Sequence, residues 1–261
     1  MLSFLRLAAL ITLLLLVAAG WLYFHHNSAV NVTDNFESPV LCKIWTRENM
    51  VPNAFEIQSA ITRNGKHAAK ITLHTGDKKE DSTTGSKTSE RDELVEAMPL
   101  FAVEGSAYEY RFSLLLPDSF PVTRTRLVLA QWKQFCRFCS CSSYSPILAL
   151  RYVSGKLCIT LQTGNRRDTL FIQNKEIRNQ WLDFRFRVKF THLPNGFVTA
   201  FLNNQEIIHY TGITSYPDNC RVLSAQNKYY FKMGLYRDRL PMDMSVYLDD
   251  YSKKEITGLE N

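Results

Sequence analysis

Residues 182–190, "LDFRFRVKF", alternate without a break: Leu182, Phe184, Phe186, Val188 and Phe190 share one parity, and Asp183, Arg185, Arg187 and Lys189 the other. That period of two is the period of a β-strand with one buried face. "AYEYRFSLLL" repeats it with Tyr108, Tyr110, Phe112 and Leu114. "YYFKMGLYRD" sets Tyr229, Phe231, Met233 and Leu235 against Tyr230, Lys232, Gly234, Tyr236 and Asp238. Further runs of the kind stand in "AAKITLH", "RLVLAQWK", "PILALRYV", "KLCITLQ", "FVTAFL" and "SVYLDDY", with turn signals at "VSGK", "LPNG" and "LNNQ" between them. About a dozen strands with no compositional break and no internal repeat predict one all-β domain over residues 28–261, a jelly-roll β-sandwich of concanavalin-like type. The polar run "HTGDKKEDSTTGSKTSERDE" is expected as a long exposed loop that leads into a strand.

The opening differs. After Arg6 the chain runs uncharged from Leu7 to Phe24, which as a helix measures about 27 Å, close to the thickness of a bilayer core. Residues 1–27 are therefore read as a hydrophobic helix, either an uncleaved signal anchor or a signal peptide cut after the small residues Val17 and Ala19. Both place the remainder outside the cytoplasm, held at the membrane by the helix or released as a secreted or periplasmic protein. The chain holds 31 Lys and Arg against 25 Asp and Glu, and of these only Arg6 lies in the opening segment, so the domain itself is basic. That suits an anionic partner. The sequence has no Lys/Arg-rich block of the kind that would point to nucleic acid.

An exported chain with six cysteines, Cys42, Cys136, Cys139, Cys141, Cys158 and Cys220, is expected to form disulfides of unassigned connectivity. The cluster "CRFCSC" leaves zinc open as the alternative.

Three strands carry polar pairs at i, i+2, each pair on one face: Arg91 and Glu93 in "ERDEL", Gln131 and Lys133 in "AQWKQ", and Lys232 followed by Tyr236 beyond Gly234. Together they would bring guanidinium, amide, ammonium and phenol groups to one groove, an inventory suited to sugar acids. Gly234 reads as a gap with room for about one sugar ring, given roughly 7 Å per two strand residues. Arg185 and Arg187 are expected either to track a polyanion in the same groove or to solvate an outer face. Trp132 and Trp181 are expected in the core, and His192 and His209 in structural or exposed roles.

"ERDEL", "LVLAQWKQ", "SPILALRY", "QWLDFRFRVKF…PNGFVTAFLNNQEI" and "YYFKMGLYR", in that order, resemble the jelly-roll polysaccharide lyases, among them glucuronan lyase and heparin lyase I-type proteins, over roughly residues 33 to 252. They also resemble the alginate lyases with their R-x-E-L, Q-x-H and Y-F-K-x-G-x-Y strands. The resemblance implies cleavage of a uronic-acid polysaccharide by β-elimination. Arg91 and Gln131 would neutralise the substrate carboxylate and Tyr236 would protonate the leaving oxygen. Glu93, Lys232, Tyr230, Arg237, Arg185 and Arg187 would bind substrate. One departure stands out: many relatives carry histidine where this chain has Lys133, which is a base only if its pKa falls by several units.

The base is then Lys133 or Tyr236, or the site binds without cutting and the chain is a glycan-binding protein. A laminarinase-type glycoside hydrolase is a weaker alternative, because "ERDELVE" lacks the E-x-D-x-x-E spacing. No cofactor is required on this reading, and a structural calcium is compatible with it. The partner is an anionic polysaccharide, met by a monomer.

Overall fold

The structure, a computed structural model, describes residues 30–48, 51–77, 89–135, 145–217 and 227–256. The expected opening helix lies outside these residues, as do residues 78–88 of the expected polar loop and Cys136, Cys139, Cys141 and Cys220. Among the described residues no helix is long and apolar enough to cross a membrane.

Sixteen strands form among the described residues. They are β1 (Asn31–Asp34), β2 (Trp45–Glu48), β3 (Phe55–Gln58), β4 (Ala68–Leu73), β5 (Ser89–Glu96), β6 (Ala102–Val103), β7 (Ala107–Leu115) and β8 (Leu127–Phe135). The rest are β9 (Leu148–Val153), β10 (Lys156–Gln162), β11 (Arg167–Gln173), β12 (Trp181–Lys189), β13 (Gly196–Leu202), β14 (Gln205–Gly212), β15 (Lys228–Asp238) and β16 (Met244–Ile256). One sheet runs β14-β13-β12-β7-β16-β4-β3 with β1 beside β16; the other runs β11-β10-β9-β8-β15-β5-β2 with β6 beside β15. Neighbours pair antiparallel, and many are distant in sequence, so the two sheets make the expected sandwich rather than a chain of hairpins.

Alternation sets which face of each strand is buried. On β12 the even residues from Leu182 to Val188 are buried and the odd ones are not. Between the sheets Trp132 lies 4.8 Å from both Phe186 and Phe231, and Phe231 lies 5.4 Å from Phe112. Each such buried ring contributes about 1.5–3 kcal/mol. Trp132 is thus core as expected. Trp181 is not: it shares the outward parity of Asp183 and Arg185, is half-buried, and its Nε1 donates to Thr62 O at 3.1 Å.

The inner face of β5 is acidic. Glu90 accepts from Arg237 Nε at 2.8 Å, and both side chains are fully buried. Glu96 accepts from Tyr251 Oη at 2.5 Å, Lys253 Nζ at 3.0 Å and Phe231 N at 3.1 Å. Asp92, also buried, has its carboxyl pushed up to about 8, first by burial and then by neighbouring Asp77. At neutral pH it is held largely uncharged.

Cys42 and Cys158 are free thiols, which corrects the expectation that all six cysteines pair. The two sit toward opposite ends of one sheet, Cys42 just before the edge strand β2 and Cys158 on β10, one strand in from the edge.

Candidate active site

Register brings the polar pairs together. Across β15 and β5, Tyr236 stands opposite Arg91 and Gly234 opposite Glu93. Across β15 and β8, Lys232 stands opposite Gln131 and Tyr230 opposite Lys133. Glu48 of β2 stands opposite Glu93. An irregularity in β8 between Val128 and Ala130 shifts its phase against β9, so that Val128 pairs with Arg151. A cavity of about 230 Å³ opens on this face, lined among others by Arg91, Gln131, Lys133 and Tyr236. The four residues expected to carry chemistry therefore share one space.

Acidic partners fix Arg91 and Lys232. Arg91 Nη1 donates to Glu48 Oε1 at 3.0 Å, and its Nε lies 3.2 Å from Glu93 Oε2 without the alignment of a hydrogen bond. Gln131 Nε2 donates to Glu93 Oε1, and Lys232 Nζ to Glu48 Oε2. Burial pulls the Arg91 guanidinium down, but Glu93, Glu48 and Tyr236 outweigh it and keep the group firmly charged. The same guanidinium lies 4.0 Å over the Tyr236 ring, and that of Arg126 lies 4.7 Å from the ring. Such cation–π contacts hold the phenol in place against a positive field.

Lys133 differs from Arg91 and Lys232. Among the described residues no carboxylate pairs with it, and its pKa falls to about 8, first through burial and then through the nearby charges of Lys232 and Arg91. That is the shift a lysine base requires. Tyr230 moves the other way: burial, with Glu48 and Glu93, pushes its phenol up to about 12. Its ring stacks on Phe101 at 5.0 Å, so Tyr230 packs beside Lys133 outside the cavity lining and holds its proton.

A family model of polysaccharide lyases matches residues 24–252. The chain belongs to the polysaccharide lyase family. Among solved structures this lyase resembles an endo-β-1,4-glucuronan lyase from the fungus Trichoderma reesei, with a TM-score of 0.63 and 14% identity over 82% of this chain and 92% of that one. It also resembles the alginate lyase Aly36B, with a TM-score of 0.56 and 10% identity over 88% and 99% of the two chains. A third is the family 7 alginate lyase A1-II', with a TM-score of 0.54 and 14% identity over 80% and 86%. At such identities these likenesses show the shared fold. No curated protein matches the chain.

Several expected binding residues of the lyase lie elsewhere. Arg237 points into the sandwich, fully buried against Glu90, and cannot meet a substrate. Arg185 and Arg187 belong to β12, in the other sheet, where Arg187 Nε donates to Glu109 Oε2 at 2.9 Å. Glu93 and Lys232 share the cavity's face but are buried in their ion pairs, so they brace Gln131, Arg91 and Glu48. Gly234 is no gap for a sugar. Its φ is +139°, and a Cβ there would stand 2.4 Å from Asp92 O and 3.0 Å from Glu93 Cα, so the glycine lets β15 approach β5.

The cavity also holds Arg126, Arg151 and Arg167, which the sequence reading did not single out. Arg151 shows a signal in hindsight: within "ILALRYV" it sits at the parity of Ala149, opposite Leu148, Leu150 and Tyr152. Its Nε donates to Thr160 Oγ1 at 3.0 Å, and burial first, with Arg167 and Arg126 nearby, lowers it to about 10. His192 and His209 lie away from the cavity and pair with Glu104 and Glu206. Among the described residues no group of three or more His, Cys, Asp or Glu is arranged to hold a metal.

Proposed function

We propose that this lyase cleaves a uronic-acid-containing polysaccharide by β-elimination, with Lys133 as base and Tyr236 as acid. The observation that carries the reading is Lys133, without a carboxylate partner among the described residues and with its pKa lowered to about 8, in one cavity with Tyr236, Arg91 and Gln131.

The substrate carboxylate meets Arg91 and the Gln131 amide, whose charge and dipole stabilise the enolate-like anion as the proton at C5 leaves. Neutral Lys133 takes that proton. The C5 electron pair forms the C4=C5 double bond, the bond from C4 to the glycosidic oxygen breaks, and the Tyr236 hydroxyl protonates the departing oxygen. Proton exchange with solvent then returns Lys133 to neutral and Tyr236 to phenol. Arg151 and Arg167, with Arg126 beside its ion-pair partner Asp238, supply positive charge along the cavity for the carboxylates of neighbouring sugar units. The expected export of the domain would bring it to such extracellular polymers.

A glycoside hydrolase needs paired carboxylates on the substrate face. Here Glu90, Asp92 and Glu96 face the interior, and Glu48 and Glu93 are tied to Arg91, Lys232 and Gln131. The arrangement favours elimination.

The test is incubation of the full chain with glucuronan, alginate, heparin and hyaluronan while ultraviolet absorbance of the unsaturated product is recorded. A rise with at least one polymer, lost in Tyr236→Phe, is expected. Binding without any rise overturns the lyase reading, and full activity in Tyr236→Phe overturns the role of Tyr236.

A further inference from the structure

The sheet remote from the cavity carries its own array of cations. On its outer face Arg185 stands opposite Arg111, Arg187 opposite Glu109, and Lys254 of β16 opposite Glu109 from the other side. Glu109 is buried. Its Oε1 accepts from Arg111 Nε at 2.8 Å and lies 3.7 Å from Lys254 Nζ, while its Oε2 accepts from Arg187 Nε at 2.9 Å. One carboxylate thus anchors three cations whose side chains are 52%, 46% and 55% exposed.

Arg185 adds a charge with no acid partner among the described residues. Its guanidinium lies 3.8 Å over the Phe201 ring, and its Nε is buried without a hydrogen-bond partner. Lys189 continues the β12 row at the same parity. Cations along β12 recur roughly every 7 Å, a spacing on the scale of one sugar unit.

A flat array of this kind fits a polymer of carboxylates. Its donors are largely preset by Glu109 and Phe201, so little side-chain order is lost on binding. An insertion into lipid would need protruding apolar side chains, and the exposed large hydrophobic residues among those described, such as Val40, Met98 and Leu193, are not on this face. Nucleic-acid strands are bound through open aromatic rings as well as charge, and here Arg185 already covers Phe201.

We propose that the outer face of β12, β7 and β16 is a second polyuronate-binding surface, which keeps long substrate chains on the enzyme. The inference rests on the uronate reading of the cavity, yet it is tested by binding and not by cutting.

The probes are glucuronan and alginate, each as polymer and as tetrasaccharide. Arg185→Gln, Lys189→Gln and Lys254→Gln are combined, since none of these removes a direct hydrogen bond to Glu109, and binding is measured in a Tyr236→Phe background. Affinity for long polymer should fall roughly tenfold at low salt, with a shallower salt dependence. In the active chain, turnover of tetrasaccharide and the melting temperature should stay unchanged. Unchanged polymer affinity overturns the proposal, as does an equal loss of tetrasaccharide turnover. Weakened binding to phosphatidylserine vesicles or duplex DNA with polyuronate binding intact also overturns it. If no polymer is ever cut but the binding loss is seen, the lyase reading fails and the surface stands.

Discussion

Lys133 and Lys232 stand on neighbouring strands, diagonal to each other on one face, and only Lys232 of the two is ion-paired to a carboxylate among the described residues. Lys232 therefore sets a positive charge beside Lys133. Lys232→Met removes a cation that holds Lys133 down, so the pKa of Lys133 should rise. The acidic limb of kcat/KM against pH should move to higher pH, with a loss of roughly three- to tenfold at pH 7 that recovers in alkali. A limb that stays in place would show that Lys133 is not the base.

Lys133→Met should abolish elimination and at the same time stabilise the fold. The folded pKa of about 8 lies below the ordinary 10.5, so between those values the unfolded chain binds more protons and stability rises with pH. Below that window the penalty for charging Lys133 is complete, on the order of 3 kcal/mol. Denaturant melts at pH 7 should show the variant more stable than the parent by up to that amount, and the gap should close above pH 10.5.

Arg237→Leu should unfold the protein rather than weaken substrate binding. It leaves Glu90 fully buried without its guanidinium partner, a loss of about 3–5 kcal/mol. Thermal melts should show a lower midpoint, with KM of the surviving folded fraction unchanged.

Gly234→Ala combines a positive φ with a backbone collision against Asp92 O. A loss of about 3 kcal/mol or more is expected, together with reduced kcat, because Tyr236 and Arg91 face each other across the same two strands. Circular dichroism melts and single-turnover rates check both parts.

The strands were legible because a buried face needs an apolar residue at every second position, which β7, β12 and β15 supply with little interruption. The same parity made Arg91, Gln131, Lys133 and Tyr236 readable as a set. Parity tells which face a residue takes and not which sheet, and so it left Arg185 and Arg187 open between the groove and the outer face they occupy. Arg237 was misread against the pattern itself, since it follows Phe231, Met233 and Leu235 at the inward parity. Arg126 and Arg167 were hidden because only the order of strands across the sheet brings them to the cavity.

On β5, the charged groups of the cavity face and those of the interior are separated by a single residue of phase. Arg91 and Glu93 face the cavity, and Glu90, Asp92 and Glu96 face the interior. A slip of one position would turn three carboxylates outward and bury the Arg91 guanidinium. Gly234 fits against the Asp92 carbonyl only because it has no Cβ, so a slip that brought Met233 or Leu235 to that place would drive a side chain into the backbone. The face that Arg91 presents to the cavity thus rests on a backbone contact that touches no sugar.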